Sequence, residues 1–383
     1  MILGGGLLGL ALAHQLARRG RSVLVLSRRR SEAAGFVAAG MLAPHAEGLE
    51  GALLTLGQAS LAAIPAWVQQ IEADSGLPCG HRSCGIVVPF GTTAERDAYP
   101  TATWGQALDR RGLDQEVPGL AERWQAGLLF PQDGQIDNRR RLMRALERAC
   151  VERGVQFEEG AEVTALECSD GVLAGVHLRR AEGGEHRLSC TEAVLTCGAW
   201  SGQLLPELPV FPVKGQMLSL QGPRHALKRV LFGPGTYLVS REDGLLVVGA
   251  TSEVDAQFRP GLTPAGQRTL QEGIAALLPA AAHWPPMERW WGFRPCTPDQ
   301  APLLGEGPMA GLWLATGHHR NGVLLAAITA ELLAAAIDGQ LSLEQHQLLA
   351  PFHWSRFAAA PSRGENARGE NSAPLPAGAG QST

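Results

Sequence analysis

Glycines at the spacing Gly4-x-Gly6-x-x-Gly9 stand between an apolar opening run, Met1-Ile2-Leu3, and a helical pattern of Leu7, Leu8, Leu10, Ala11, Ala13, Leu16 and Ala17 that Gly20 closes. Strand, tight turn and helix in that order constrain the fold more than anything else in the chain. Gly4 serves the turn, Gly6 lets backbone approach a pyrophosphate, and Gly9 lets helix and strand pack closely. The N–H groups of Leu7 and Leu8 have no partners within the helix and lie at the positive end of its dipole, where phosphate is stabilised. A second strand at 22–26 completes a Rossmann-like dinucleotide-binding unit. The glycines do not say which dinucleotide. The opening strand is short for its role, so a start of the unit upstream of Met1 is one reading.

At 383 residues the chain exceeds one average domain, so two domains or one large α/β unit are expected. Apolar residues make up 45%, enough for a sizeable core, and the net charge of −4 offers no handle to nucleic acid or an anionic membrane. Seven cysteines are an odd count, and Cys150, Cys190 and Cys197 lie in apolar stretches, as in a cytoplasmic protein with reduced thiols. Cys79 and Cys84 are the one close pair, and with no second pair nearby no metal is expected. The apolar N-terminus lacks the charged segment of a signal peptide. No apolar run is read as spanning a membrane, since 323–337 contains Thr329 and Glu331.

About twenty residues past the glycines an acid normally meets a ribose hydroxyl. Here Ser27 is followed by Arg28-Arg29-Arg30. Serine can still bond a ribose hydroxyl of FAD or NAD; the arginines suit the 2′-phosphate of NADP; or the run is a solvated surface. These first forty residues do not choose. Small residues in Ala38-Ala39-Gly40-Met41-Leu42-Ala43-Pro44-His45 suggest backbone lying close to something flat or bulky. Helices are expected at 59–73, at 139–153 with Asp137 or Asn138 as cap, and at 264–278 capped by Thr263. A mixed region is read at 92–114. Strands are expected at 85–89, 155–157, 162–166, 171–179, 186–190, 193–196, 210–220, 237–240, 245–250 and 290–295, the last four suggesting a second, antiparallel domain. A further strand at 312–315 enters Gly317-His318-His319-Arg320-Asn321-Gly322 and an apolar helix at 323–338, a second helix start where negative charge is favoured. From about 358 the composition reads as a disordered tail.

Taken in order, Gly4–Gly9, Ala38–Pro44, Gly198-Ala-Trp200-Ser201, Pro212-Val-Lys-Gly-Gln216, Tyr237-Leu-Val-Ser-Arg241, Val247-Val-Gly-Ala-Thr251, Trp291-Gly-Phe-Arg-Pro-Cys-Thr-Pro-Asp299 and Gly317–Gly322 make the chain resemble the D-amino-acid-oxidase family of flavoproteins over roughly residues 1–350. Within it the likeness is to the glycine-oxidising branch that serves thiamine biosynthesis. The resemblance implies an α/β plus antiparallel-β fold. In it a Rossmann-like FAD-binding domain (1–75, 133–205 and 300–345) is interleaved with an antiparallel-sheet substrate domain (76–132 and 206–299). It implies FAD, oxidation of a small amino acid or amine by hydride transfer, and reoxidation by O2 to H2O2. The imine then feeds thiazole synthesis or hydrolyses to glyoxylate and ammonia. A thiazole synthase is the implied partner, and a homo-oligomer is expected.

By the same resemblance Arg294 clamps the substrate carboxylate, Tyr237 and Arg320 touch substrate, and Met41 packs against substrate or flavin. The cofactor set is Gly4, Gly6, Leu7, Leu8, Gly9, Ser27, Ala39, Gly40, Met41, Val163, Gly198, Trp200, His319, Arg320, Asn321, Gly322, Val323 and Leu324. Ser27 departs from the family's usual Glu. No catalytic acid or base is identified, because hydride transfer from a neutral amine needs position rather than a strong base. Glycine, sarcosine and a small D-amino acid are all compatible. The alternatives are an NADP-dependent dehydrogenase, favoured by 27–30, and a non-catalytic dinucleotide-binding protein.

Overall fold

The computed structural model describes residues 1–357, so the tail expected from 358 lies outside the described residues. Alternate residues of the first sheet's central strands enter two different cores, one on each face. The sheet's strands run in the order Leu303–Glu306, Leu312–Thr316, Ala193–Leu195, Ile2–Leu3, Leu24–Ser27, Gln156–Glu159. All are parallel neighbours except the antiparallel edge Leu303–Glu306. Ile2, Val25 and Val194 pack into a core with the helices Leu7–Arg18, Gly51–Ser75, Met143–Glu152 and Gly322–Ile337. Leu3, Leu26 and Leu195 instead meet Leu173, Val176 and Leu178 of an antiparallel layer, Glu162–Ser169, Val172–Arg179 and Glu185–Ser189. Strands buried on both faces read as continuous apolar runs, which is why these were legible in sequence. Gly322–Ile337 is apolar all round because it is sandwiched between Leu7–Arg18 and Gly51–Ser75.

The second sheet has eight strands, in the order Pro286–Cys296, Phe211–Gln221, Leu245–Gly249, Thr236–Ser240, Val230–Gly233, Ile86–Phe90, Ala126–Phe130, Gln106–Asp109. Every pairing is antiparallel except Val230–Gly233 with Ile86–Phe90. The chain is thus mixed α/β and antiparallel β, as expected. A small sheet of Met41–Leu42, Gly134–Ile136 and His81–Arg82 carries Met41.

Three local expectations change. The helix read at 59–73 is Gly51–Ser75, 25 residues long. It is long and apolar enough to cross a membrane by length and composition, which the sequence reading passed over. Leu56, Ile64, Trp67, Val68 and Ile71 instead form a buried stripe against neighbouring helices. Asp137 does hold the N-cap position expected of it, but through its backbone carbonyl, which accepts from Arg141 and Leu142 N–H (both 3.0 Å), and without a side-chain cap bond. That segment starts with a π turn at Asn138–Leu142, with Asp137 bound to Arg140 (2.8 Å) and Asn138 donating to Gly35 O. The region 92–114 resolves into helix Thr93–Asp97, strand Gln106–Asp109 and the start of helix Arg110–Glu116.

Candidate functional site

At the first glycine loop, Gly4 has φ +115°, and a Cβ there would come 2.6 Å from Thr196 O. A Cβ on Gly9 would overlap the Gly4 carbonyl. Gly6 differs, since its Cβ would meet nothing nearer than Ala33 Cβ at 3.4 Å. Protein packing therefore requires glycine at 4 and 9, whereas position 6 faces space. Gly6 caps the helix without a side-chain bond, and the N–H groups of Leu7 and Leu8 meet no acceptor among the described residues. That donor array suits an anionic pyrophosphate.

The second strand–loop–helix unit repeats the arrangement. His319 N–H donates to Pro295 O (2.7 Å), tying the loop to the strand that bears Arg294. Asn321 caps the helix Gly322–Ile337 without a side-chain bond, and Gly322, Val323 and Leu324 N–H find no acceptor among the described residues. Between the two units, Gly40 (φ +84°) presses on Ile136 O, and Arg241 Nη2 donates to Ala39 O (2.5 Å). Burial lowers the Arg241 pKa to about 10. This buried guanidinium fastens the Ala39–Gly40 loop to the antiparallel sheet.

On that sheet, Tyr237 stands opposite Gly249 and its ring covers the glycine so closely that a Cβ would overlap it. Arg294 lies over Gly215 in the same manner. Isolated glycines within or at the end of a strand mark such close approaches. Arg294 Nη1 donates to Thr251 O (3.1 Å), and among the described residues no carboxylate lies within 4 Å of its guanidinium. Burial pushes its pKa down, with Tyr237 raising it in part. Burial pushes the Tyr237 phenol up, against the pull of Arg294. Met41, Tyr237 and Met217 share one apolar cluster, and Tyr237 Oη contacts Met217 Sδ at 3.6 Å.

Arg320 behaves differently, since its Nη2 reaches Glu47 Oε2 at 2.8 Å. The Glu47 charge, ahead of burial, raises its pKa. Burial drives His318 and His319 to about 3, with Arg294 and Arg320 adding to the effect at His319, so both are neutral imidazoles. His318 Nε2 bonds Thr329 Oγ1 (3.1 Å).

Arg294, Tyr237, Met41, His319 and Arg320 are therefore brought together. Trp200 is not among them. It stacks on Phe258 (5.3 Å) with the Arg28 guanidinium over it (5.0 Å), in the wall of a cavity of about 280 Å³. Gly198 sits in the turn before it, its carbonyl accepting from Thr316 Oγ1 (3.2 Å). Val163 is half-buried beside the Leu3–Leu26 core. Ser27 is buried at the end of its strand. Glu47, Gly215, Gly249 and Arg241 were missed, although the lone glycines in two strands were available as a signal.

Fold and site together define a flavin-dependent oxidoreductase. The chain belongs to the DAO family of FAD-dependent oxidoreductases, whose family model matches residues 1–336. FAD is accordingly its cofactor, and the NADP reading gives way to it; Arg28 and Arg29 are both engaged by Glu32. The chain is similar to the bifunctional protein ThiO/ThiG of Synechocystis sp., 43% identical over 348 residues, 89% of this chain and 51% of the relative. It thus spans about half the length of those curated relatives. It is 31% identical to the glycine oxidase of Geobacillus kaustophilus over 375 residues, 93% of this chain and 96% of the relative. The crystal structure of glycine oxidase from Geobacillus kaustophilus superposes with a TM-score of 0.84 at 29% identity, covering 93% and 97% of the two chains. Iminodiacetate oxidase from Chelativorans sp. shares the fold, at TM-score 0.81 and 23% identity.

Proposed function

We propose that this chain oxidises glycine, or a comparably small amino acid or amine, to its imine. The observation that carries this reading is Arg294: a half-buried guanidinium with no acidic partner among the described residues, held over Gly215 beside Tyr237. A desolvated cation of that kind is a receptor for a carboxylate, which it meets bidentately. Tyr237 donates to the second side of the same carboxylate, and Arg320 and Met41 close the pocket. Clamping the carboxylate fixes the α carbon, which supplies much of the rate through orientation. Neutral His319 leaves the substrate amine free of a nearby acid. The six-stranded layer (1–75, 133–205, 300–345) is proposed as the FAD-binding domain and the eight-stranded sheet (76–132, 206–299) as the substrate domain.

FAD, when bound, would supply a two-electron acceptor for the α-carbon hydride that O2 can reoxidise with release of H2O2. The two glycine-bounded loops would hold it, through Gly6 and the unpaired N–H groups of Leu7 and Leu8 and through those of Gly322, Val323 and Leu324, donors suited to its anionic groups. Ala39, Gly40, Val163, Gly198, Trp200, Ser27 and Asn321 complete the cofactor contacts. The imine hydrolyses to glyoxylate and ammonia or is consumed by a thiazole synthase, a partner supported by the two-function ThiO/ThiG relatives. Sarcosine or a small D-amino acid is the second reading, favoured by the absence of a second carboxylate receptor while Glu47 occupies Arg320. A peroxide assay of FAD-replete protein over glycine, sarcosine and D-alanine tests the proposal. No peroxide from any of them would refute it.

A further inference from the structure

The fold asks for an acid at the end of its second strand, and Ser27 stands there. In the parallel register the partner of Ser27 is Glu159, the last residue of Gln156–Glu159. Side chains of register partners emerge on the same face, one strand spacing of about 4.8 Å apart. The Glu159 carboxylate is held in place. It accepts from the Arg30 backbone N–H (2.9 Å) and from Arg30 Nε (3.0 Å). Arg30 is braced in turn by Glu147 (2.9 Å) and lies over the Phe157 ring (4.9 Å).

This group sits on the glycine loop. A Cβ on Gly5 would come 3.2 Å from Ser27 Cβ and 2.7 Å from Arg30 Cδ. Arg30 Nη1 is buried with no acceptor. An ionised carboxylate accepts about four hydrogen bonds, and Arg30 uses two. Glu159 is half-exposed, so its remaining lone pairs are open to a ligand. A glutamate at 27 would place two like charges in direct register, which is unfavourable, whereas serine makes room for the reach from the next strand.

We propose that Glu159 is the ribose acceptor for the adenosine half of FAD, so that the acid usually found on the second strand has moved one strand outward and Arg30 orients it. This rests on the FAD assignment. Arg30 is a positioning residue, and its lone Nη1 is a donor for the neighbouring phosphate.

The test is FAD binding to apoprotein, followed by quenching of flavin fluorescence, independent of turnover. Titrations use FAD and an FAD whose adenosine ribose lacks the 2′-hydroxyl. Glu159→Ala should weaken FAD binding roughly tenfold or more, the range for a hydrogen bond to a charged group. Removing the 2′-hydroxyl should cost the parent about tenfold and Glu159→Ala less than about threefold, the non-additivity of a direct contact. Adding Ser27→Glu to Glu159→Ala should restore FAD affinity. Equal losses on removing the hydroxyl in parent and variant would overturn the proposal, as would FAD affinity within about twofold of the parent. Failure of the parent apoprotein to bind FAD would instead overturn the FAD assignment.

Discussion

Two arginines flank Tyr237, and they are opposites. Arg320 meets Glu47 at 2.8 Å, and that charge raises its pKa. Arg294 lies over Gly215 and, among the described residues, donates to the Thr251 carbonyl and to no carboxylate; burial lowers its pKa. Removing one partner of a buried pair leaves an uncompensated charge, a costly state in a finished core. Arg294 is in that state by construction, which is the usual signature of a group reserved for a ligand. The lesson is that the absence of a partner, rather than the presence of a positive charge, separates the proposed clamp from its neighbour.

The contrast breaks most directly at Arg294. Replacing it with Ala is expected to raise the substrate KM by about 100-fold or more, the loss of two charge-assisted hydrogen bonds. Thermal stability should hold or rise, since a desolvated cation is removed; steady-state kinetics and a melting curve check both. Acid tests the pair next. His318 and His319 titrate near 3 in the folded protein and near 6.5 when unfolded. The unfolded chain therefore binds more protons between these values. Stability is fully present above pH 6.5 and falls below it, by up to about 1.4 kcal/mol per histidine per pH unit. Urea midpoints between pH 7 and 5 should show the decline, and His319→Asn should flatten it.

Glu47→Ala would convert Arg320 into a second unpaired guanidinium. The KM for an amine bearing two carboxylates, such as iminodiacetate, should then drop about tenfold relative to that for glycine. An unchanged ratio would mean that Arg320 does not face the substrate. Tyr237→Phe removes one hydrogen bond to the charged carboxylate, about 1.5 kcal/mol at the low end of its range, and should raise KM about tenfold with kcat nearly constant.

Much of this was legible beforehand. The glycine spacing and the apolar runs mark the central strands Ile2–Leu3, Leu24–Ser27, Ala193–Leu195 and Leu312–Thr316, which are buried on both faces, whereas the edge strand Leu303–Glu306 carried no such signal. Arg294, Tyr237 and Arg320 were nominated by resemblance, and they do converge. The counter-charge on Arg320 was not legible, because Glu47 and Arg320 are 273 residues apart and no local pattern links them. Nor does sequence explain Gly215 and Gly249, since their need for glycine comes from Arg294 and Tyr237 lying across them. The start of the 51–75 helix is not legible because Gly51 and Gly57 have poor helix propensity, and tertiary packing extends the helix through them.

The two-residue strand Ile2–Leu3 lies at the middle of its sheet, bonded on one side to Leu24–Ser27 and on the other to Ala193–Leu195. The glycine loop proposed to seat the cofactor therefore cannot close until Ile2 has met Val194 across the intervening chain. Pairings so distant in sequence slow folding, because loop entropy is lost before the contacts repay it. During synthesis the glycine loop waits, exposed, for a partner strand nearly two hundred residues behind it. Supplying FAD to the refolding chain should accordingly accelerate only the last phase, when both neighbours of Ile2–Leu3 are in place.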